Sequence, residues 1–136
     1  MNVQIENLKK HADKRGFLVE FLKGDELTEP QKKFGQISLA TIASGEIRGN
    51  HYHKNKEEWF AVIAGKINVL LEDINTGERK TFILDSSEDS LRRVKVGPYT
   101  AHCFKNISNS VSILVEYATT IYDRKKPDQF AYEAVL

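Results

Sequence analysis

The sequence predicts an all-β fold, a sandwich or barrel built from about nine short strands. Three features predict it. Short runs rich in apolar and β-branched residues recur at near-regular spacing along the chain. Turn-forming Gly, Asn, Ser and Pro stand between these runs. No window of about eleven residues carries the apolar stripe of an amphipathic helix.

The elements follow in order. Residues 17–21 alternate in polarity, and 34–42 (FGQISLATI) are rich in β-branched side chains. Ala43-Ser44-Gly45 breaks that run before 47–53. Residues 59–64 (WFAVIA) and 67–71 (INVLL) flank Gly65, which suits a tight turn between strands. Asn75-Thr76-Gly77 is a turn signal before 79–84, and 91–96 end at Gly97-Pro98. Residues 102–107 and 111–117 are separated by Ser108-Asn109-Ser110. The polar segments 24–31 and 123–129 fit either a short helical turn or a loop.

A chain of 136 residues is one domain's worth of protein, so residues 1–136 are read as a single domain. The formal net charge of +1 gives no general electrostatic reason to bind nucleic acid or an anionic membrane. The lone Cys103 excludes an intrachain disulfide and a cysteine-rich zinc ribbon. No apolar stretch of about 18 residues exists to span a membrane, and the first residues lack the apolar core of a secretory signal. The expectation is a cytoplasmic protein.

The chemistry concentrates on three of the four histidines; His11 stands apart in a polar stretch. In a strand, residues two apart face the same way, so His51 and His53 look in one direction. Glu58 begins the next apolar run after a polar turn, and a hairpin there returns its carboxylate to both imidazoles. His102 lies just after Gly97-Pro98. Three imidazoles and a carboxylate suit a divalent transition metal. Tyr52 and Trp59 alternate away from this face, whereas Phe60, Val62 and Phe104 share it and are expected to form an apolar pocket wall. Arg124-Lys125-Lys126 reads as a solvated loop.

Gly45, His51, His53, Glu58 and Gly65 carry the spacing of the first cupin motif, and Gly97-Pro98 with His102 and Asn106 resemble the second. Thr100 stands where that second motif usually has glycine. The resemblance implies a cupin, or jelly-roll, β-barrel with His51, His53, Glu58 and His102 converging in its mouth as ligands of a divalent metal, zinc foremost. A finer resemblance runs from about Asp13 to Asp128. Asp13-Lys14-Arg15-Gly16-Phe17, Arg48-Gly49-Asn50-His51-Tyr52-His53-Lys54, Val96-Gly97-Pro98, Ala101-His102-Cys103-Phe104 and Tyr122-Asp123 are similar to elements of sugar-nucleotide epimerases and isomerases. Those families are the dTDP-4-dehydrorhamnose 3,5-epimerases, the TDP-4-keto-6-deoxyglucose 3,4-ketoisomerases and the C-terminal cupin domain of capsular polysaccharide epimerase/reductases.

That resemblance implies an isomerase acting on a nucleotide-linked 4-keto-6-deoxy sugar in surface-polysaccharide synthesis, with C3 favoured over C5 as the epimerised carbon. The double epimerases carry a lysine near Glu58 that helps hold the enolate. Here a metal would take that place as Lewis acid. His51 is the candidate base and Tyr117 the candidate acid on the opposite face of the sugar. Arg48 and Arg15 are candidates for the nucleotide diphosphate, since a planar guanidinium matches phosphate. Phe60 and Phe104 are the expected substrate-facing wall. Barrel edges left open by so small a cupin predict a homodimer, paired through residues 17–21 and 34–42. Rival readings are a metal-free 3,4-ketoisomerase using His51 and His53, a non-catalytic sugar- or metal-binding cupin and, more weakly, a metal-dependent dioxygenase.

Overall fold

The structure is a computed structural model that describes residues 1–27 and 33–134. Five strands form one antiparallel sheet in the order β1 (Val3–Lys9), β9 (Ser90–Val96), β6 (Glu58–Ala64), β11 (Ser112–Ala118), β4 (Gln36–Ile42). Five more form the facing sheet: β12 (Phe130–Ala131), β5 (Ile47–Tyr52), β10 (Thr100–Asn106), β7 (Lys66–Asp73), β8 (Arg79–Asp85). A separate hairpin joins β2 (His11–Asp13) to β3 (Gly16–Leu18). This is the expected jelly-roll barrel. No helix among the described residues is long and apolar enough to cross a membrane.

Alternation builds the core. Phe60 and Val62 of β6, Val94 and Val96 of β9, and Leu114 of β11 meet Ile67, Val69 and Leu71 of β7, Leu84 of β8 and Phe104 of β10. Every second side chain of each strand therefore enters one dry layer between the sheets. Phe60 and Phe104 meet edge to face at 4.7 Å, and truncating Phe60 to alanine would cost about 3–5 kcal/mol. They are 0% and 3% exposed, so they are the closed floor beneath the histidines; the expectation that they line an open pocket wall is corrected.

Outside the sandwich, each sheet has a cover. Trp59 and Tyr117 pack together on the outer face of the first sheet, beside Phe34. Arg93 on that face donates to the Phe21 carbonyl and to the carboxylates of Glu6 and Glu26, fastening residues 21–26 across the sheet. The C-terminal residues 128–134 cross the outer face of the second sheet. There Ala134 joins buried Leu70 and Cys103, and Phe130 stacks on Tyr52.

Two strand readings change. Residues 17–21 are not one strand: pairing ends at Leu18, within the hairpin arm. β1 had not been expected, yet it pairs along its whole length with β9. Of the polar segment 24–31, Gly24–Glu26 makes one 3-10 turn, and 28–31 lie outside the described residues.

Candidate active site

The site forms where the two sheets face each other at one end of the barrel. His51 on β5 and His102 on β10 are paired neighbours in the second sheet. His53 lies one residue past β5, and Glu58 opens β6 in the first sheet. One ring nitrogen from each of His51, His53 and His102 lies within 4.8 Å of the others. His102 Nε2 is 3.0 Å from His51 Nε2, and the Glu58 carboxylate is 2.7 Å from His53 Nε2 and 3.5 Å from His102 Nε2. The structure therefore brings together all four residues expected from their spacing. His102 is the third residue of its strand rather than the first.

A local irregularity aims them. Antiparallel pairing puts His51 opposite His102 but Gly49 opposite Cys103, so Asn50 is an extra residue, a β-bulge. Asn50 sits at φ 58 and Gly49 at φ 93. A Cβ on Gly49 would lie 2.5 Å from the His102 carbonyl oxygen, so only glycine lets the two strands approach here. Arg48 pairs with Phe104, which points into the core. The bulge thus lets Arg48 and His51, three residues apart, face the same side. Arg48 remains exposed at the open strand edge, its Nε donating to the Thr41 carbonyl of β4.

The tautomer of His53 follows from its neighbour. His53 Nδ1 meets the Asp128 main-chain carbonyl, which only accepts, so Nδ1 carries the hydrogen. Nε2 then faces a Glu58 carboxylate oxygen at 2.7 Å, and Lys56 Nζ lies 3.2 Å from the same oxygen. A proton on Nε2 or a bound cation satisfies so close a pair. His53 Nε2 and Glu58 Oε2 are also buried without a satisfied hydrogen bond. The donor set fits a divalent transition metal on both counts.

The electrostatics agree with a site built to hold positive charge. Burial, and then the neighbouring His102 and His53, lower the His51 pKa to about 4. Burial likewise lowers that of His102. Burial works against the charge on Glu58, but the hydrogen bond with His53 and the nearby histidines and Lys56 hold its carboxyl below the usual range. Lys56 was missed by sequence reasoning. It lies in a polar turn, yet it is 9% exposed and places Nζ 3.2 Å from Glu58 Oε1.

Other expected site residues lie elsewhere. Tyr117 is opposite Trp59 in the register and faces outward, its hydroxyl accepting from the Gly35 N–H at 3.0 Å. The residue of β11 that faces the barrel interior is its neighbour Glu116, opposite Phe60. Arg15 sits in the turn of the β2–β3 hairpin, 84% exposed and forked onto Asp13. No contact among the described residues joins it to the histidines.

The chain has relatives among known proteins. The family model described as polysaccharide biosynthesis C-terminal domain matches residues 11–130. The chain is 31% identical over 121 residues to a UDP-2-acetamido-2,6-beta-L-arabino-hexul-4-ose reductase of Pseudomonas aeruginosa, covering 89% of this chain but 30% of the reductase. The chain thus spans about a third of that relative. It is 29% identical to a "Probable low-salt glycan biosynthesis epimerase Agl13" of Haloferax volcanii, covering 94% of this chain and 84% of that protein. The crystal structure of a dTDP sugar isomerase from Desulfovibrio desulfuricans superposes with a TM-score of 0.81 at 18% identity, over 96% of this chain and 83% of the other, which establishes the shared cupin fold.

Proposed function

The chain belongs to the polysaccharide biosynthesis C-terminal domain family, and from that premise we propose that it is an epimerase acting at C3, with C5 as the second position, of a nucleotide-linked 4-keto-6-deoxy sugar. The observation that carries the reading is the convergence of His51, His53, Glu58 and His102 where the sheets open. The relatives lend support: one bears the name of an epimerase and another that of a reductase of a 4-ketohexose.

A ketone at C4 acidifies the protons on C3 and C5, so inversion needs a base, stabilisation of the enolate oxygen and an acid. His53, Glu58 and His102 are buried and would hold a divalent transition metal, with zinc the first candidate. Bound there, the metal would supply Lewis-acid polarisation of the ketone. His51 is the most open of the three imidazoles, and we assign it the base rather than a fourth ligand, since one nitrogen cannot do both. It takes the proton on C3 at Nε2. Arg48, exposed on β5 three residues before His51, is the candidate for the diphosphate as a planar, permanently charged donor. Phe60 and Phe104 close the floor against water.

The test uses dTDP- and UDP-linked 4-keto-6-deoxy sugars in heavy water. Deuterium should enter at C3, and His51→Asn should slow that entry by about 10²–10⁴-fold. Exchange with no such sugar would sink the enzymatic reading in favour of a binding cupin. The 3.0 Å approach of His51 Nε2 to His102 Nε2 favours a second reading, a 3,4-ketoisomerase that shuttles its proton through imidazoles without a metal. A 3-keto product, formed undiminished after chelation, would select it.

A further inference from the structure

Inverting a carbon centre needs proton carriers on both faces of the sugar, and the first of them, His51, stands on one sheet of the sandwich. The facing sheet must supply the second. Tyr117 cannot, because it is opposite Trp59 and turns to the outer surface. Glu116 is opposite Phe60 on β6 and Ser38 on β4. Phe60 is fully buried between the sheets, so the Glu116 side chain starts from the same inner face. Unlike Phe60, Glu116 is partly exposed, so its carboxyl is reachable from solvent. Its companions on that wall are polar: Gln36 and Ser38 hydrogen-bond to each other at 3.2 Å.

We propose that Glu116 is the catalytic acid that returns a proton to the sugar on the face opposite His51. Glu116 and His51 stand on opposite sheets, so a sugar ring held between them would meet an imidazole on one face and a carboxyl on the other. Burial first, and then the charge of Glu58, raise the Glu116 pKa to about 7, with Lys56 and His53 pulling the other way. Burial thus favours the protonated, donor form of the carboxyl, and no hydrogen bond to a described residue ties it up. The proton balance is complete. His51 takes the C3 proton, and the C–H electron pair becomes the enolate. Glu116 gives its proton to C3 from the other side as the enolate collapses to the ketone. Solvent then reprotonates the Glu116 carboxylate and relieves the His51 imidazolium.

This role rests on the epimerase reading, and the experiment separates the two. Wild type, Glu116→Gln, Glu116→Asp and Tyr117→Phe are incubated with the nucleotide-linked 4-keto-6-deoxy sugar in heavy water. Deuterium at C3 of recovered substrate and inverted product are measured separately, with thermal melting as the check on folding. Glu116→Gln should keep deuterium entry within a few-fold of wild type while inversion falls by about 10²–10⁴-fold. Glu116→Asp should restore part of the inversion, and Tyr117→Phe should leave both readouts intact. Inversion by Glu116→Gln at the wild-type rate overturns the role of Glu116 and leaves the epimerase reading standing. Equal loss of exchange and inversion at unchanged melting overturns it too, because the residue would then act before the proton is returned. No exchange by wild type overturns both.

Discussion

His53 and His51 differ in ways that separate their roles. His53 is buried, fixed by the Asp128 carbonyl through Nδ1, and its Nε2 faces the Glu58 carboxylate. His51 is more open and has no such anchor. Removing His53 leaves Glu58 with Lys56 and His102 and takes a ligand from the centre of the cluster. His53→Ala should therefore strip most of the metal from protein purified without chelators, whereas His51→Asn should retain it while losing proton exchange. Elemental analysis of the two variants checks this. Equal loss of metal in both would make His51 a ligand and remove it as the base. Gly49 and Asn50 set this division of labour from outside the cluster, since their positive φ values produce the bulge that aims His51 inward. Arg48 gains its inward direction from the same bulge.

The C-terminal strap and the loop after β5 act as one element. The Asp128 carboxylate accepts from the backbone N–H groups of Lys54, Asn55 and Lys56 at 2.8, 2.9 and 3.0 Å. Burial works against its charge, but these three donors hold its carboxyl below the usual range. β12 then pairs with β5 at His51 and Tyr52, and the Tyr132 N–H donates to the Asn50 carbonyl. The strap thus fixes the orientation and tautomer of His53 by gripping the loop on its far side. Groups that orient a metal-binding histidine typically matter by about 10–100-fold in affinity. Asp128→Ala should weaken metal binding by that factor, measured by competition with a chromophoric chelator; wild-type affinity in the variant would refute the gripping role. None of this was legible in the sequence, where residues 123–129 are polar and without periodicity and the three bonds join positions more than 70 residues apart. The strands from β4 to β11 were legible because period-two alternation is local. So was the His51, His53 and Glu58 part of the cluster, because His-x-His and a carboxylate across one hairpin turn are local too. Tyr117 was expected as the acid from the family resemblance, and the register of β11, which pairs it with outward-facing Trp59, leaves Glu116 on the inner face instead. Lys56 escaped because only the packing of the turn buries it.

At the scale of the whole molecule, the barrel leaves apolar surface on one side. Among the described residues β4 is the edge strand of its sheet, paired with β11, and its outward residues Ile37 and Leu39 are 57% and 69% exposed. Phe34, just before it, is 66% exposed, and Phe17 and Leu18 on the hairpin arm are 46% and 62% exposed. Phe34 and Ile37 also line an apolar hollow of about 290 Å³ with Phe21, Leu22, Leu27 and Tyr117. Exposed apolar side chains of this kind, beside an open strand edge, are what a partner covers in a stable oligomer. The partner we expect is a second copy, seated against β4 and the arm. Closed symmetry accounts for the absence of charged side chains at the outward positions 37 and 39, since in a two-fold interface each copy presents this patch to the other. Light scattering at micromolar concentration should give twice the 15.5 kDa of one chain. Leu39→Glu, a change at an exposed position that removes no core contact, should return the mass to that of one chain without lowering the melting temperature of the isolated barrel. A wild-type mass of one chain would refute the dimer. A Leu39→Glu dimer would move the interface away from β4.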